Sequence, residues 1–136
     1  MDKIEAFLSI LVAAVAADGI LHQKEAEVLK KHMNNQSALK GFDSTSKIKS
    51  IIEVIKNKGY EELVESSITF FNIEEQESIL AIAVDLAYSD SEICEKEKLF
   101  LAFLIEKLDL HNEKSESIFN SIFALNRDFF KNSCHI

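Results

Sequence analysis

Apolar side chains recur at helical spacing along nearly the whole of this chain, and no proline interrupts them. Ile4, Phe7, Leu8, Leu11, Val12 and Val15 fall at the i, i+3, i+4, i+7 positions that line one face of a helix. Val28 and Leu29 do the same in a second segment, and Ile48, Ile51, Ile52 and Ile55 in a third. With only three glycines and 136 residues, the chain has neither the turns for a β fold nor the length for two ordinary domains. The expected fold is all-α: a single compact bundle of about seven helices spanning 1–136.

Turn chemistry places the breaks. Helices are expected over about 2–17, 23–33, 60–71, 74–88 and 95–108, with a third helix carrying Ile48 to Ile55 and a seventh following Asp109 to Asn112. Asp18-Gly19 closes the first, and Lys58-Gly59 caps the third. The polar stretch 34–46, ending in Asp43-Ser44-Thr45-Ser46, reads as a loop leading into a helix N-cap. Asn72 is placed to cap the fifth helix, whose Ile79, Leu80, Ile82, Ala83, Val84, Leu86 and Ala87 make it apolar nearly all round. That helix is expected at the centre of the bundle. The sixth should bury Leu99, Phe100, Phe103, Leu104 and Leu108, and the seventh Ile118, Phe119, Ile122, Phe123 and Phe130.

One stretch occurs twice. Asp18-Gly19-Ile20-Leu21-His22-Gln23-Lys24-Glu25 returns in the second half of the chain as Asp90-Ser91-Glu92-Ile93-Cys94-Glu95-Lys96-Glu97. Residues 4–32 align with 76–104 without a gap, and eight of the 29 pairs are identical. Apolar matches follow from shared helical composition, but Asp18/Asp90, Lys24/Lys96 and Glu25/Glu97 do not. These halves read as a duplicated helix–loop–helix with an internal pseudo-two-fold relation. The four acids Asp18, Glu25, Asp90 and Glu97 are the candidate site.

Two chemistries fit those acids. Carboxylates gathered at two loop ends repel one another, and a hard divalent cation with oxygen ligands relieves that. The metal would be Ca, Mg, Mn or Zn. The spacing is not that of an EF-hand, because Asp to Glu spans eight positions rather than twelve. Alternatively the acids are helix caps: with His22 and Cys94 at N-cap, Glu25 and Glu97 fall at N3, as in a capping box. The protein would then be an interaction module whose acidic loops only finish helices.

The pattern VAAVAADGILHQKEAEVL, repeated more loosely as VDLAYSDSEICEKEKLFL, resembles the tellurite-resistance TerB family and its TerB-like relatives. The resemblance covers essentially the whole chain. It implies a compact bundle of about seven helices with internal pseudo-symmetry, in a cytoplasmic bacterial protein linked to tellurite and general stress resistance. It also implies a divalent-metal site at Asp18, Glu25, Asp90 and Glu97. The chain departs from the family in having Ser91 where a glycine is usual. It also carries Lys24 and Lys96 before each Glu, which lower the local negative potential.

Other residues point away from catalysis. No HExxH or Glu-x-x-His occurs, and no nucleophile–base pair is visible, so the expectation is a non-enzymatic domain. His22 reads as an exposed cap residue, His32 as a partly buried helix-end histidine, His111 as a loop residue and His135 as part of a tail. Cys94 and Cys134 read as free thiols rather than a disulfide framework. Asp85 interrupts an apolar helix: it reads either as a buried polar anchor or second acidic contact or, more simply, as part of the helix's one polar side. A formal charge of −8 disfavours nucleic acid and anionic membranes. A protein partner is expected, and Phe129-Phe130 is a candidate contact. The apolar run 10–17 is too short for a membrane span and lacks a basic leader, so no integral membrane segment is expected.

Overall fold

The computed structural model describes residues 1–39, 44–87 and 95–125. Seven α-helices lie among them: α1 (Lys3–Val15), α2 (Gln23–Asn34), α3 (Thr45–Lys58), α4 (Glu61–Ile68), α5 (Ile73–Ala87), α6 (Glu95–Lys107) and α7 (Asn112–Leu125). A short 3₁₀ turn, Ser37–Leu39, follows α2 and buries Leu39 within the stretch expected to be loop. No strand occurs among the described residues. The all-α expectation holds.

Helix ends follow the expected chemistry in part. Asp2 caps α1 by accepting a hydrogen bond from the Glu5 amide at 2.8 Å. Gly59, at φ +79°, ends α3 and donates its amide to the Ile55 carbonyl at 2.8 Å. A complete capping box opens α5. The Asn72 side chain accepts from the Glu75 amide at 2.9 Å, and Glu75 accepts from the Asn72 amide at 3.0 Å. Ser44 precedes α3 but makes no side-chain cap bond.

The centre of the bundle is α1, not α5. Every residue from Leu8 to Ala16 is buried, and α1 packs against α2, α3, α4, α5 and α6. Helical geometry explains why. Ala6, Ala13, Ala14 and Ala16 are at most 1% exposed, and side chains that small let neighbours approach from several directions at once. Of the expected apolar stripe, Leu8, Leu11, Val12 and Val15 are buried, and Ile4 and Phe7 lie at the edge of the core. In α5 the buried apolar set is Ile79, Leu80, Ala83, Val84, Leu86 and Ala87, while Ile82 is only half-buried.

One core assignment fails on α6. Phe100, Leu101 and Leu104 are buried, but Leu99 is 60% exposed. Residues 99–105 are uniformly apolar, so the sequence carries no phase there, and the helix turns its Phe100–Leu104 side inward. The Tyr60 ring stands edge-on to Phe100 and to Phe103, with centroids 5.1 and 5.5 Å away, joining α6 to the start of α4. Phe130 lies outside the described residues.

Lys3 of α1 and Glu75 of α5 form an ion pair.

Candidate functional site

The first acidic joint is built around one glycine. The Ala16 amide closes the last turn of α1 on the Val12 carbonyl, and the Gly19 amide then turns back to the Ala16 carbonyl at 2.8 Å. Gly19 has φ +85°, a conformation that L side chains rarely adopt. A Cβ there would also lie 3.1 Å from the Lys56 Cβ and 3.2 Å from its Cα, on α3. Gly19→Ala should therefore destabilise the fold by about 1–2 kcal/mol from backbone strain alone. Urea unfolding checks this, and a change under about 0.5 kcal/mol, within the usual surface-substitution range, would mean that the joint relaxes freely.

Asp18 serves the joint with both carboxylate oxygens. Oδ1 accepts the Ile20 amide at 3.1 Å, and Oδ2 accepts the ammonium of Lys96 at 3.1 Å. Partial burial works against its ionisation. The bonds from Lys96 and the Ile20 amide, with the charge of Lys96, outweigh burial and hold its pKa below the ordinary value. Because Lys96 stands in the first turn of α6, this ion pair joins the α1–α2 connection to the helix that follows the second acidic stretch.

Glu25 is the third residue of α2 and is buried, at 5% exposure. His22 occupies the N-cap position but makes no side-chain cap bond, so the hydroxyl half of a capping box has no counterpart here. Glu25, Leu29 and Met33 form the buried side of α2. His32, on the same side, reaches across to α5, where its Nε2 lies 2.6 Å from Asp85 Oδ2. Both side chains are partly buried, and Asp85 is thus an anchor between helices rather than a solvated polar residue.

Of the four acids, Asp18, Glu25 and Glu97 are described, and Asp90 lies outside the described residues, with Glu92 and Cys94. Glu97 is half-buried in the first turn of α6. Among the described residues no three His, Cys, Asp or Glu side chains gather closely enough to hold a metal ion. The donor chemistry suits a hard cation, and the cation nearest Asp18 is an ammonium. A metal at these residues would have to compete with Lys96. In sequence Lys96 reads only as a charge diluting its neighbours. Its pairing with the other joint needs the fold.

These observations define a class: an all-helical bundle in which an acid of the α1–α2 connection, Asp18, is paired with Lys96 of α6. The family model for tellurite resistance protein TerB matches residues 4–120. The chain belongs to the TerB family. No curated protein and no solved structure gave a significant match. Among the described residues, no helix is long and apolar enough to cross a membrane.

Proposed function

We propose that this TerB-family chain is a non-enzymatic, cytoplasmic bacterial protein of tellurite and stress resistance that binds a divalent cation at its paired acidic joints. Asp18, Glu25, Asp90 and Glu97 would supply the oxygens, and occupancy would be passed on to a protein partner as a sensor or scaffold signal. The Lys96–Asp18 contact is the observation that supports this reading most. It brings the first joint to the start of α6, and it puts positive charge on a carboxylate that a cation would use. Glu25 adds a buried carboxylate at a helix N-terminus, where the dipole favours negative charge. Two apolar side chains flank the tether: Ile20, 55% exposed, and Leu99, 60% exposed and one turn beyond Lys96. They offer a partner an apolar contact beside the charge.

Native mass spectrometry and thermal unfolding with Ca²⁺, Mg²⁺, Mn²⁺ and Zn²⁺ test the proposal. At least one ion should bind in a defined ratio. Once the site saturates, each further tenfold of free ion should add about 1.4 kcal/mol of stability. Asp18→Asn should abolish that gain, and Lys96→Met should strengthen binding by removing the competing ammonium. Absence of binding for all four ions, or an equal response in Asp18→Asn, sinks the metal reading.

The alternative is an interaction module whose acids are structural, and it draws on the Asp18–Ile20 amide bond. Under it, Glu25→Gln leaves every ion response unchanged.

A further inference from the structure

Away from the acidic joints, α1, α5 and the 3₁₀ turn line a cavity of about 320 Å³. Its apolar walls are chiefly Ile4, Phe7, Leu39, Phe71, Ile79 and Ile82, with Gln36 and Ser78 as uncharged polar members. Its charged groups are Lys3 and Glu75. The volume stands at the lower end of small-molecule pockets, which suits one unbranched chain or a single ring rather than a fused system.

The two charges are not equivalent. Glu75 is fixed by the backbone: as the third residue of α5 it accepts the Asn72 amide at 3.0 Å and donates its own amide to Asn72 Oδ1 at 2.9 Å. Lys3 is held only through its ammonium. That group bonds Glu75 Oε2 and lies 5.7 Å from the centre of the Phe71 ring, on a side chain that is 55% exposed. The carboxylate is preorganised, and the lysine can swing into solvent at little cost.

We infer that this cavity is a binding site for an amphiphilic amine: a primary or quaternary ammonium on a single apolar chain or ring. Lys3 already displays the recognition, an ammonium between the Glu75 carboxylate and the face of Phe71. A ligand ammonium takes the same two contacts as Lys3 withdraws, and its apolar part fills the space among Phe7, Leu39, Ile79 and Ile82. Cation–π attraction to the ring adds to the ion pair, and the acidic net charge favours a cationic ligand. An anionic amphiphile would have Lys3 as its partner but would meet the backbone-held Glu75 carboxylate beside it.

Titration of the full chain with n-octyltrimethylammonium, n-octanoate and n-octanol, each below its micelle concentration, tests this by calorimetry. The ammonium should bind saturably and at least about tenfold more tightly than the other two, a difference of about 1.4 kcal/mol. Glu75→Gln keeps the capping box, since glutamine serves equally at that position, and should weaken ammonium binding by about tenfold. Lys3→Gln should strengthen it several-fold, and Phe71→Leu should weaken the ammonium more than the alcohol. The inference is overturned by octanoate or octanol binding as tightly as the ammonium, by a Glu75→Gln variant that binds unchanged, or by no saturable binding.

Discussion

Replacing Phe100 with alanine should lower the unfolding free energy by about 3–5 kcal/mol, a large part of what a domain of this size possesses. The side chain is fully buried on α6, and its ring packs edge-on against Tyr60 at 5.1 Å. Removing it discards the transfer free energy of the ring and the aromatic contact, worth about 0.5–1.5 kcal/mol. It also leaves a cavity beside Leu101 and Leu104 that the surrounding helices can close only in part. Burial has a second effect: it raises the pKa of the Tyr60 hydroxyl, and nearby Glu61 adds to that. Chemical unfolding followed by circular dichroism measures the loss, and Phe100→Leu, which keeps most of the volume, should recover more than half of it. A loss below about 1.5 kcal/mol would mean that α6 collapses onto the gap, so that its packing is not what fixes the core.

The second large effect belongs to a polar side chain. Gln76 is 3% exposed and ties two connections together: Nε2 donates to the Phe71 carbonyl at 3.1 Å, and Oε1 accepts the Asp109 amide at 2.8 Å. One residue on α5 thereby finishes the backbone hydrogen bonding of the α4–α5 joint and of the α6–α7 joint. Gln76→Ala strands a carbonyl and an amide, each costing about 1–3 kcal/mol when buried without a partner. Asp109 is exposed, so water can reach its amide more easily than the Phe71 carbonyl. The expected loss is about 2–4 kcal/mol by urea unfolding, and hydrogen exchange should quicken at the Asp109 amide. Gln76→Glu separates charge from shape: it keeps the acceptor for Asp109 but loses the donor to Phe71. It also buries a carboxylate against the Phe71 carbonyl, so it should be at least as destabilised as Gln76→Ala at neutral pH, and a variant as stable as wild type would remove the Phe71 bond from the account.

Fold class was legible because helical periodicity and the absence of proline leave little else. Breaks governed by local chemistry were legible too: Gly59 ends α3, Asn72 opens α5, and the Asp18-Gly19 turn follows the end of α1. Which helix lies at the centre was not. Alanine is silent on hydrophobic patterning, so α1 reads as an ordinary one-faced helix, and the large side chains of α5 dominate the pattern instead. Leu99 was misplaced for the opposite reason, since seven apolar residues in a row hide the phase of α6.

The candidate residues could be read from the sequence, and their contacts could not. The repeat singled out Asp18, Glu25, Asp90 and Glu97; Asp90 lies outside the described residues, and Glu25 is buried at a helix N-terminus. Long-range polar pairs leave no local signature, which is why Lys96 with Asp18, His32 with Asp85 and Lys3 with Glu75 needed the fold. For one of them a trace existed. Lys3 and Glu75 sit at the repeat offset, one position upstream of the aligned halves.

The central position of α1 bears on how the chain is made. Its partners α4 and α5 follow it in sequence, and α5 is complete only at Ala87, whereas α1 is complete at Val15. At a synthesis rate of about 5–20 residues per second, roughly 4–14 s separate the two on the ribosome. Until that interval ends, the most apolar helix of the domain lacks the α5 surface against which it packs. Folding is thus weighted toward late, non-local closure despite an all-helical composition, and the nascent chain presents a chaperone with one well-defined apolar segment.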